Sequence, residues 1–240
     1  MIDCVILAAG RGKRMKSSKP KVLHEVGDKP MIFHTLDTLK SIGAEKIICV
    51  YSDKRIKKEI GDKALCVKDF HPSGTASSAD VGINHVTSGN VFVLYGDDTF
   101  FYDATVYLRL LNRHLSMKAK VSFISLIGED TAGKGRVLRK KGKIVKIIEE
   151  RDASEEQKKI TEINDGVYIF NTKWFRENIG KITNNNSQKE FYLTDLIAIA
   201  AKQNEKVASV PLYGLPKYIG VNTKNDLLVA NKLYGNRKTN

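Results

Sequence analysis

The 240-residue sequence contains little cysteine, with only Cys4, Cys49 and Cys66. Each of the three lies in an apolar, strand-like segment, and none stands at metal-ligand spacing from another. We therefore expect buried, reduced thiols and neither a disulfide framework nor a zinc site. An odd number of cysteines leaves one unpaired in any disulfide arrangement, which favours a reducing compartment.

Long apolar runs are also missing from the sequence. No run approaches the ~20 residues that a membrane-spanning helix needs. The amino terminus reaches Asp3 at once, without the basic region and long apolar stretch of a secretory signal. These absences predict a cytoplasmic protein that has no membrane partner.

Acidic residues are fewer than basic ones. The chain has 27 Asp and Glu and 40 Lys and Arg, which gives a net charge of +13. Such a charge suits nucleic acid, a membrane surface or anionic small molecules. However, the lysines recur along the whole chain among acidic residues, and no aromatic-basic stripe typical of single-strand binders occurs. We expect mostly solvated lysines, small anionic ligands and no nucleic-acid partner.

The apolar content of 42% and the length suit one α/β domain. Apolar runs at residues 2–7, 46–51, 64–67 and 91–94 alternate with helix-like patterns at 31–42 and 75–85. This alternation predicts a doubly wound, mostly parallel sheet, which binds ligands outside the carboxyl ends of its strands.

The pattern changes after a predicted helix at residues 103–114. Residues 120–127, 135–139 and 142–148 alternate in polarity, and the turn at Lys141-Gly142-Lys143 indicates a hairpin. A buried strand at 166–170 and helices at 195–202 and 222–233 follow, and we expect the polar tail from Tyr234 to fray. The predicted parts of the single domain are a nucleotide-binding half (1–130), a second half (131–225) and a carboxyl-terminal helix with its tail (226–240).

A glycine turn with clustered cations follows the first strand. Its sequence is Leu7-Ala8-Ala9-Gly10-Arg11-Gly12-Lys13-Arg14-Met15, and Lys19-Pro20-Lys21 comes shortly after. Gly10 and Gly12 allow backbone N–H groups to approach phosphate, while Arg14 and Lys21 supply charge to a triphosphate. The spacing excludes a dinucleotide fingerprint, which needs a glycine in place of Met15, and also a P-loop.

This opening resembles the signature of sugar-1-phosphate nucleotidylyltransferases, L-A-A-G-x-G-T-R-M followed by P-K, with Lys13 in place of Thr. Further blocks of the resemblance cover nearly the whole chain: Tyr95-Gly96-Asp97, Gly133-Lys134-Gly135-Arg136, Glu149-Glu150-Arg151-Asp152-Ala153, Glu162-Ile163-Asn164-Asp165-Gly166, Thr183-Asn184-Asn185-Asn186, Tyr192-Leu193-Thr194-Asp195 and Gly220-Val221-Asn222. The later blocks are most similar to the uridylyltransferase domain of the bifunctional enzymes that make UDP-N-acetylglucosamine. The resemblance implies a Rossmann-like nucleotidyltransferase fold with a small β-rich sugar-binding lobe.

The resemblance also implies a set of site residues. Arg14 and Lys21 would be catalytic, and Asp97 and Asn222 would bind Mg2+, which takes few protein oxygens and relies on substrate phosphates for the rest. The implied nucleotide-binding residues are Leu7, Ala8, Ala9, Gly10, Gly12, Asp69, Gly74 and Thr75. The implied sugar-binding residues are Tyr95, Gly96, Gly135, Glu149, Asn164, Tyr192 and Thr194.

For three of these residues, the sequence alone also allows a role that involves no ligand. Asp97 could stabilise a turn, with Asp98 beside it as the ligand instead, and Asn222 could be a helix N-cap. Glu149 could belong to a solvated run of charges.

The expected reaction is Mg2+-dependent uridylyl transfer from UTP to N-acetylglucosamine 1-phosphate, which releases pyrophosphate and serves cell-envelope precursor synthesis. The alternatives are the same chemistry with another sugar 1-phosphate or with CTP or dTTP, and a non-catalytic nucleotide-sugar binding module. No six-residue repeat is visible, so we expect no acetyl transfer and a monomer or homodimer.

The sequence departs from its relatives at the predicted base site, where Asp69 stands in place of Gln. A carboxylate only accepts hydrogen bonds, whereas a glutamine amide both donates and accepts. If Asp69 contacts the base, UTP should remain preferred, with weaker discrimination against CTP, and Asp69→Gln should sharpen it. The alternative is a solvated Asp69, with base reading left to main-chain groups.

Overall fold

The structure is a computed structural model that describes residues 2–10, 12–97, 102–128, 131–213 and 220–237. Within these ranges strands and helices alternate through the first half of the chain. The strands are β1 (Asp3–Ala8), β2 (Glu25–Val26), β3 (Lys29–Pro30), β4 (Ile47–Tyr51), β5 (Leu65–Lys68), β6 (Asn90–Tyr95), β7 (Val121–Ile127), β8 (Arg136–Lys140), β9 (Lys143–Ile148), β10 (Glu162–Asn171) and β11 (Val207–Tyr213).

Helices connect most of these strands. They are α1 (Met31–Ser41), α2 (Lys54–Ile60), α3 (Thr75–Ile83), α4 (Ala104–Met117), α5 (Glu155–Lys158), α6 (Thr172–Asn178), α7 (Asp195–Lys202) and α8 (Lys224–Arg237). None of the helices in the described ranges is long and apolar enough to cross a membrane.

The central sheet has the strand order β11-β7-β10-β6-β1-β4-β5. β1 pairs in parallel with β4 and β6, and β4 with β5, whereas β10 runs antiparallel to β6 and β7. The hairpin of β8 and β9 branches from β10 through Ile163 and Arg136. The doubly wound, mostly parallel sheet with a smaller β-rich part is therefore confirmed.

Helices cover both faces of this sheet because the central strands are apolar on both sides. On one face, α1, α2 and α4 bury side chains such as Leu36, Ile60 and Tyr107. On the other face, α3, α6 and α7 bury side chains such as Ala79 and Phe175. The carboxyl ends of β1 and β6 are left open for a ligand.

The carboxyl-terminal helix differs from the sequence prediction. The tail from Tyr234 was expected to fray, but α8 continues to Arg237, and the Tyr234 ring stacks edge-on against His34 with ring centroids 5.0 Å apart. A Cβ on Gly27 would lie 2.2 Å from this Tyr234 ring, so glycine is needed there. Packing of one aromatic ring thus holds the last turns against α1.

Sequence patterns also missed α2 and β11. In the lysine-rich stretch of α2, Asp53 caps the helix by accepting from Arg55 N, and Ile56 and Ile60 are buried one turn apart. β11 lies at the sheet edge, where Pro211 is tolerated.

Candidate active site

A cavity of about 1180 Å³ opens at the carboxyl ends of β1 and β6. It runs between the opening loop and the part of the molecule that contains β8, β9 and β10. Most of the sequence-predicted site residues line it: Leu7, Ala8, Ala9, Gly10, Gly12, Arg14, Lys21, Gly74, Thr75, Tyr95, Asp97, Gly135, Glu149, Asn164 and Asn222. Asp69, Gly96, Tyr192 and Thr194 do not line the cavity.

The opening loop makes its sharp turn at Gly12, not at Gly10. Gly12 has φ +56°, and a Cβ there would lie 3.1 Å from Lys21 Cβ, so glycine serves both the turn and the close approach of the two loop segments. Gly10 has open space around its Cα and does not adopt a left-handed φ. The conformational freedom of glycine is thus required at Gly12, and the approach of Gly10 to phosphate stays a prediction.

Met15 anchors the loop to the carboxyl-terminal helix. Its side chain is buried with Val26, Met31, Val221 and Ala230. Met15 N donates to Gly12 O at 2.9 Å and closes a single 3-10 turn. Because Met15 points into this small core, the neighbouring Arg14 is left exposed at the cavity.

Four predicted residues converge at the loop end of the cavity. Asn222 Oδ1 accepts hydrogen bonds from Arg14 Nη2 at 2.8 Å and from Lys21 Nζ at 3.0 Å. Lys21 Nζ also forms an ion pair with the Asp97 carboxylate, and both of these side chains are about 15% exposed. We refer to Arg14, Lys21, Asp97 and Asn222 as the ionic cluster.

The structure decides against the N-cap alternative for Asn222. Thr223 caps α8 instead, because its Oγ1 accepts from Asp226 N at 3.1 Å while Asp226 Oδ2 accepts from Thr223 N at 2.8 Å. The Asn222 carbonyl oxygen is thereby left to the ionic cluster. The other alternative residue, Asp98, lies outside the described residues.

The oxygens of Asp97 and Asn222 in the ionic cluster suit a hard cation. An ammonium nitrogen, Lys21 Nζ, contacts both the Asp97 carboxylate and Asn222 Oδ1, so one positive group already sits within reach of both oxygens. One carboxylate and one amide oxygen match the few protein ligands that Mg2+ takes beside phosphates. The described residues hold no group of three or more His, Cys, Asp or Glu side chains suited to a metal.

Glu149 lines the cavity from the second half of the chain, at the end of the β8–β9 hairpin. Its Oε1 accepts from Thr194 Oγ1 at 3.1 Å, so Thr194 positions Glu149 from behind the cavity wall. Burial raises the pKa of Glu149, which the Thr194 hydrogen bond partly offsets. A Cβ on Gly135 would lie 3.4 Å from Glu149 Oε1 and 2.8 Å from Ile147, so glycine makes room for this carboxylate.

Asn164 presents a side-chain carbonyl oxygen that has no partner among the described residues. Its Nδ2 donates to Tyr168 OH at 2.6 Å, and its backbone N donates to Gly135 O at 2.8 Å. Asn164 Oδ1 is buried, and no group in the described ranges donates to it. Because an unpaired buried acceptor costs about 1–3 kcal/mol, this oxygen indicates a ligand donor. We refer to Glu149, Asn164 and Thr194 as the amide pocket.

The acidic run at residues 149–152 is not a solvated surface. Besides Glu149, Glu150 pairs with the buried Arg136 at 2.8 Å, and Asp152 Oδ1 accepts from Ser187 N at 2.9 Å. Each of these acids therefore contacts a different segment of the second half. The partners of these acids are distant in sequence, so composition alone could not show these contacts.

Gly74 and Thr75 join the two halves of the molecule. Gly74 has φ +137°, and a Cβ there would lie 2.4 Å from Phe191 O. Thr75 Oγ1 accepts from Leu193 N at 2.9 Å. Both residues line the cavity, and their contacts with Phe191 and Leu193 hold the 191–193 segment in place.

Tyr192 and Gly96 lie behind the cavity wall. Tyr192 OH accepts from Gln188 Nε2 at 2.7 Å, and Gln188 itself lines the cavity. A Cβ on Gly96 would lie 3.2 Å from Ile6 and 3.3 Å from Val22. These two predicted sugar-binding residues therefore contact residues of the wall and do not reach the cavity themselves.

The placement of Asp69 corrects the prediction about base reading. Asp69 is 5% exposed, and its carboxylate accepts from Ser78 Oγ at 2.7 Å and from His71 N at 3.1 Å. It is neither at the cavity nor solvated, because both oxygens hold the turn that leads into α3. Pro72 and Gly74 of that turn reach the cavity instead.

Sequence reasoning missed several cavity residues. Lys134 and Arg151 add positive charge, and Gln188 adds an amide. Asp165 is buried, accepts from Tyr102 OH at 2.7 Å, and has a pKa raised to about 7 by that burial. Lys134, Arg151 and Asp165 all lie within motif blocks of the family resemblance, which is the signal that could have drawn attention to them.

A doubly wound sheet with a basic glycine loop and a polar cavity at its carboxyl edge is the architecture of a nucleotidyltransferase. The chain belongs to the MobA-like NTP transferase domain family, whose model matches residues 4–151.

Curated relatives cover the whole chain. It is 38% identical over 224 residues to "Bifunctional protein GlmU" of Thermosipho africanus, which covers 93% of this chain and 48% of that protein. It is 34% identical over 240 residues to the protein of the same name from Carboxydothermus hydrogenoformans, covering 99% of this chain and 54% of that protein. The chain thus spans about half the length of the curated relatives it matches.

A solved structure has the same fold. A putative glucose-1-phosphate thymidylyltransferase from Bacillus anthracis, in complex with a sucrose, superimposes with a TM-score of 0.79. The match covers 98% of this chain and 95% of that one at 21% sequence identity, which supports the fold alone.

Proposed function

We propose that this chain transfers a uridylyl group from UTP to N-acetylglucosamine 1-phosphate and releases pyrophosphate. The observation that carries the proposal is the cavity with two unlike ends, the ionic cluster and the amide pocket. One end suits polyphosphate, and the other suits a neutral sugar that bears hydrogen-bond donors. The relatives named as GlmU support the choice of this reaction.

The chemistry needs no covalent nucleophile from the protein. A sugar phosphate oxygen is already an anion at neutral pH and can attack the α-phosphorus in line, while pyrophosphate leaves. The protein's task is then to position the two substrates and to stabilise the developing charge.

The ionic cluster supplies this stabilisation from preorganised cations. Arg14 is exposed at the loop and stabilises the α-phosphate and the leaving pyrophosphate. Lys21 lies deeper and contacts the attacking phosphate or the α-phosphate. Asn222 orients both cations before the substrate arrives, because one oxygen accepts from each of them.

Asp97 and Asn222 would hold Mg2+ on the nucleotide. When bound, the ion neutralises phosphate charge and aligns the phosphate oxygens for displacement. Asp97 would then serve both as a ligand of the ion and as the ion-pair partner of Lys21.

The amide pocket recognises the sugar. Asn164 Oδ1 has no donor among the described groups, and it suits the N–H of an acetamido substituent or a sugar hydroxyl. Glu149 accepts from hydroxyl groups, and its link to Thr194 fixes its rotamer. A sugar without these donors would leave buried acceptors unpaired.

An activity panel tests the proposal. UTP, CTP, dTTP and ATP are each combined with N-acetylglucosamine 1-phosphate, glucosamine 1-phosphate and glucose 1-phosphate, and pyrophosphate release is measured with Mg2+ and with a chelator. We expect UTP with N-acetylglucosamine 1-phosphate to react fastest, and the chelator to abolish turnover.

Two results would redirect the assignment. Faster turnover with another pair would keep the chemistry and change the substrates. Absence of turnover with every pair, together with measurable nucleotide-sugar binding, would favour the binding module.

A further inference from the structure

Two cysteines that are 17 positions apart in sequence are brought side by side in the sheet. Cys49 on β4 and Cys66 on β5 are register partners in a parallel ladder. Both side chains face the same core, because Cys49 belongs to the cluster under α1, α2 and α4, and Cys66 packs against that cluster. The two thiols therefore point to the same side of the sheet.

The spacing of this pair suits a covalent link. Neighbouring strands lie about 4.8 Å apart, and disulfides join Cα atoms separated by about 4.4–6.8 Å. Cys4 on β1 is different, because its register partner on β4 is Ile47. The residue of β1 opposite Cys49 is Ile6, two positions after Cys4. That offset places Cys4 roughly 8 Å from Cys49, beyond the range of a link.

Access differs within the pair. β5 is the edge strand of the sheet, and Cys66 is partly exposed, whereas Cys49 is fully buried. The hydrogen bond from Cys49, assisted by the charge of Lys57 on α2, lowers the pKa of the Cys66 thiol. The same contact and burial raise the pKa of Cys49. An accessible thiol of lowered pKa beside a second thiol is the arrangement of redox-reactive cysteines.

We propose that Cys66 and Cys49 form an oxidisable dithiol site, in which Cys66 reacts first with a peroxide and Cys49 resolves the product into a disulfide between β4 and β5. The sequence alone predicted three buried thiols, and the fold makes one of them reachable from solvent.

The reaction balances with hydrogen peroxide as the oxidant. The Cys66 thiolate attacks one peroxide oxygen, the O–O bond breaks, and the leaving hydroxide takes a proton to become water. Sulfur of the resulting sulfenic acid is then attacked by Cys49, the S–O bond breaks, and the hydroxyl leaves with the Cys49 proton as a second water. Two thiols lose two electrons in total, and one peroxide gains them.

Trypsin separates the three cysteines, which makes the test direct. Cleavage after Lys and Arg places Cys4 in residues 1–11, Cys49 in 47–54 and Cys66 in 64–68. The folded full chain is treated with hydrogen peroxide, remaining thiols are alkylated under denaturing conditions, and the digest is analysed by mass spectrometry. We expect loss of two of the three alkylatable thiols and a linked 47–54/64–68 peptide that dithiothreitol separates.

Variants serve as matched controls. Cys4→Ala should give the same linked peptide, and Cys66→Ala should give none, with Cys49 still alkylatable. In the unmodified chain, brief alkylation without denaturant should label Cys66 at least about tenfold faster than Cys4, because only Cys66 combines access with a lowered pKa.

Other products would overturn the proposal. These are equal oxidation of Cys4 and Cys66, an intermolecular disulfide as the main product, or over-oxidation of Cys66 with Cys49 left free. Retention of all three thiols after peroxide treatment would also overturn it.

Discussion

At one end of the cavity, Arg14, Lys21, Asp97 and Asn222 bind one another and remain partly open to solvent. At the other end, Glu149 and Asn164 extend from strands and are held by side chains behind the wall. At the first end, Asn222 and Asp97 supply hydrogen-bond and ion-pair partners, and two cations against one carboxylate leave a positive charge for an anionic ligand. The second leaves a buried acceptor, Asn164 Oδ1, with no donor in the described part of the chain.

This difference matches what each end has to do. A triphosphate brings several negative charges, so its site needs cations that can exchange an internal partner for a phosphate without a large desolvation cost. A sugar brings only weak dipoles, so discrimination requires buried acceptors whose unpaired state is costly. Substitutions in the ionic cluster should therefore affect turnover, and those in the amide pocket should affect selection of the sugar.

Asp97→Ala should cause the largest loss. It removes a proposed ligand of Mg2+ and leaves Lys21 without its ion-pair partner. We expect kcat/KM to fall roughly a thousandfold, with an unchanged thermal unfolding midpoint. Asp37→Ala, which breaks the exposed ion pair with Lys29, is the matched control and should retain activity. Similar losses in both variants would remove Asp97 from the site.

Arg14→Ala should lower kcat by about two to three orders of magnitude, as loss of a transition-state donor does. Its side chain is exposed, so the fold should be unaffected. The measurement is kcat and KM for UTP and for the sugar phosphate. A rise in KM with kcat unchanged would place Arg14 in uniform substrate binding instead.

Asn164→Ala should affect the sugar and not the nucleotide. Loss of the buried amide should raise KM for the sugar 1-phosphate about tenfold or more, since a buried hydrogen-bonding group contributes about 1–3 kcal/mol. KM for UTP should change little. Asn184→Ala, in the exposed 183–186 loop, is the control. An equal rise in both KM values would contradict the division between the two ends.

Asp165, next to Asn164, should make stability depend on pH. Burial raises its folded pKa from 3.8 to about 7, so the folded chain binds this proton more tightly than the unfolded chain does. Its contribution is therefore most favourable below about pH 4 and is lost as pH rises toward 7. In urea unfolding, Asp165→Asn should gain stability over the parent progressively from pH 5 to 7 and then level off. A pH-independent difference would mean that Asp165 does not titrate in this range.

Sequence reasoning predicted the sheet and the residues of the ionic cluster because both have local sequence signatures. The strands of the parallel core are continuous apolar runs, and the cluster's residues belong to short motifs that follow strands. Partners that are distant in sequence have no such signature. The partners of Glu149, Glu150 and Asp152 lie on other segments, and the contact of Cys49 with Cys66 depends on strand register.

Asp69 shows the same limit at a single residue. Its position relative to Gly74 and Thr75 predicted a base contact, but the side chain turns inward to Ser78. Spacing along the chain placed the residue near the site correctly, while side-chain direction depended on the start of α3. The turn itself, with Pro72 and Gly74, is what reaches the cavity.

Asp69→Gln should therefore have the smallest effect on substrate choice. The longer amide cannot keep both hydrogen bonds of the buried carboxylate, so the free energy of unfolding should fall by about 1–3 kcal/mol. The ratio of rates with UTP and CTP should stay within about twofold of the parent, because Pro72 and Gly74 line the cavity and Asp69 does not. Asp69→Asn, which keeps the shape, should lose less stability and give the same ratio. If Asp69→Gln instead sharpened the preference for UTP at unchanged stability, the carboxylate would be reading the base, and the nucleotide end would select its ligand by side-chain hydrogen bonds as the sugar end does.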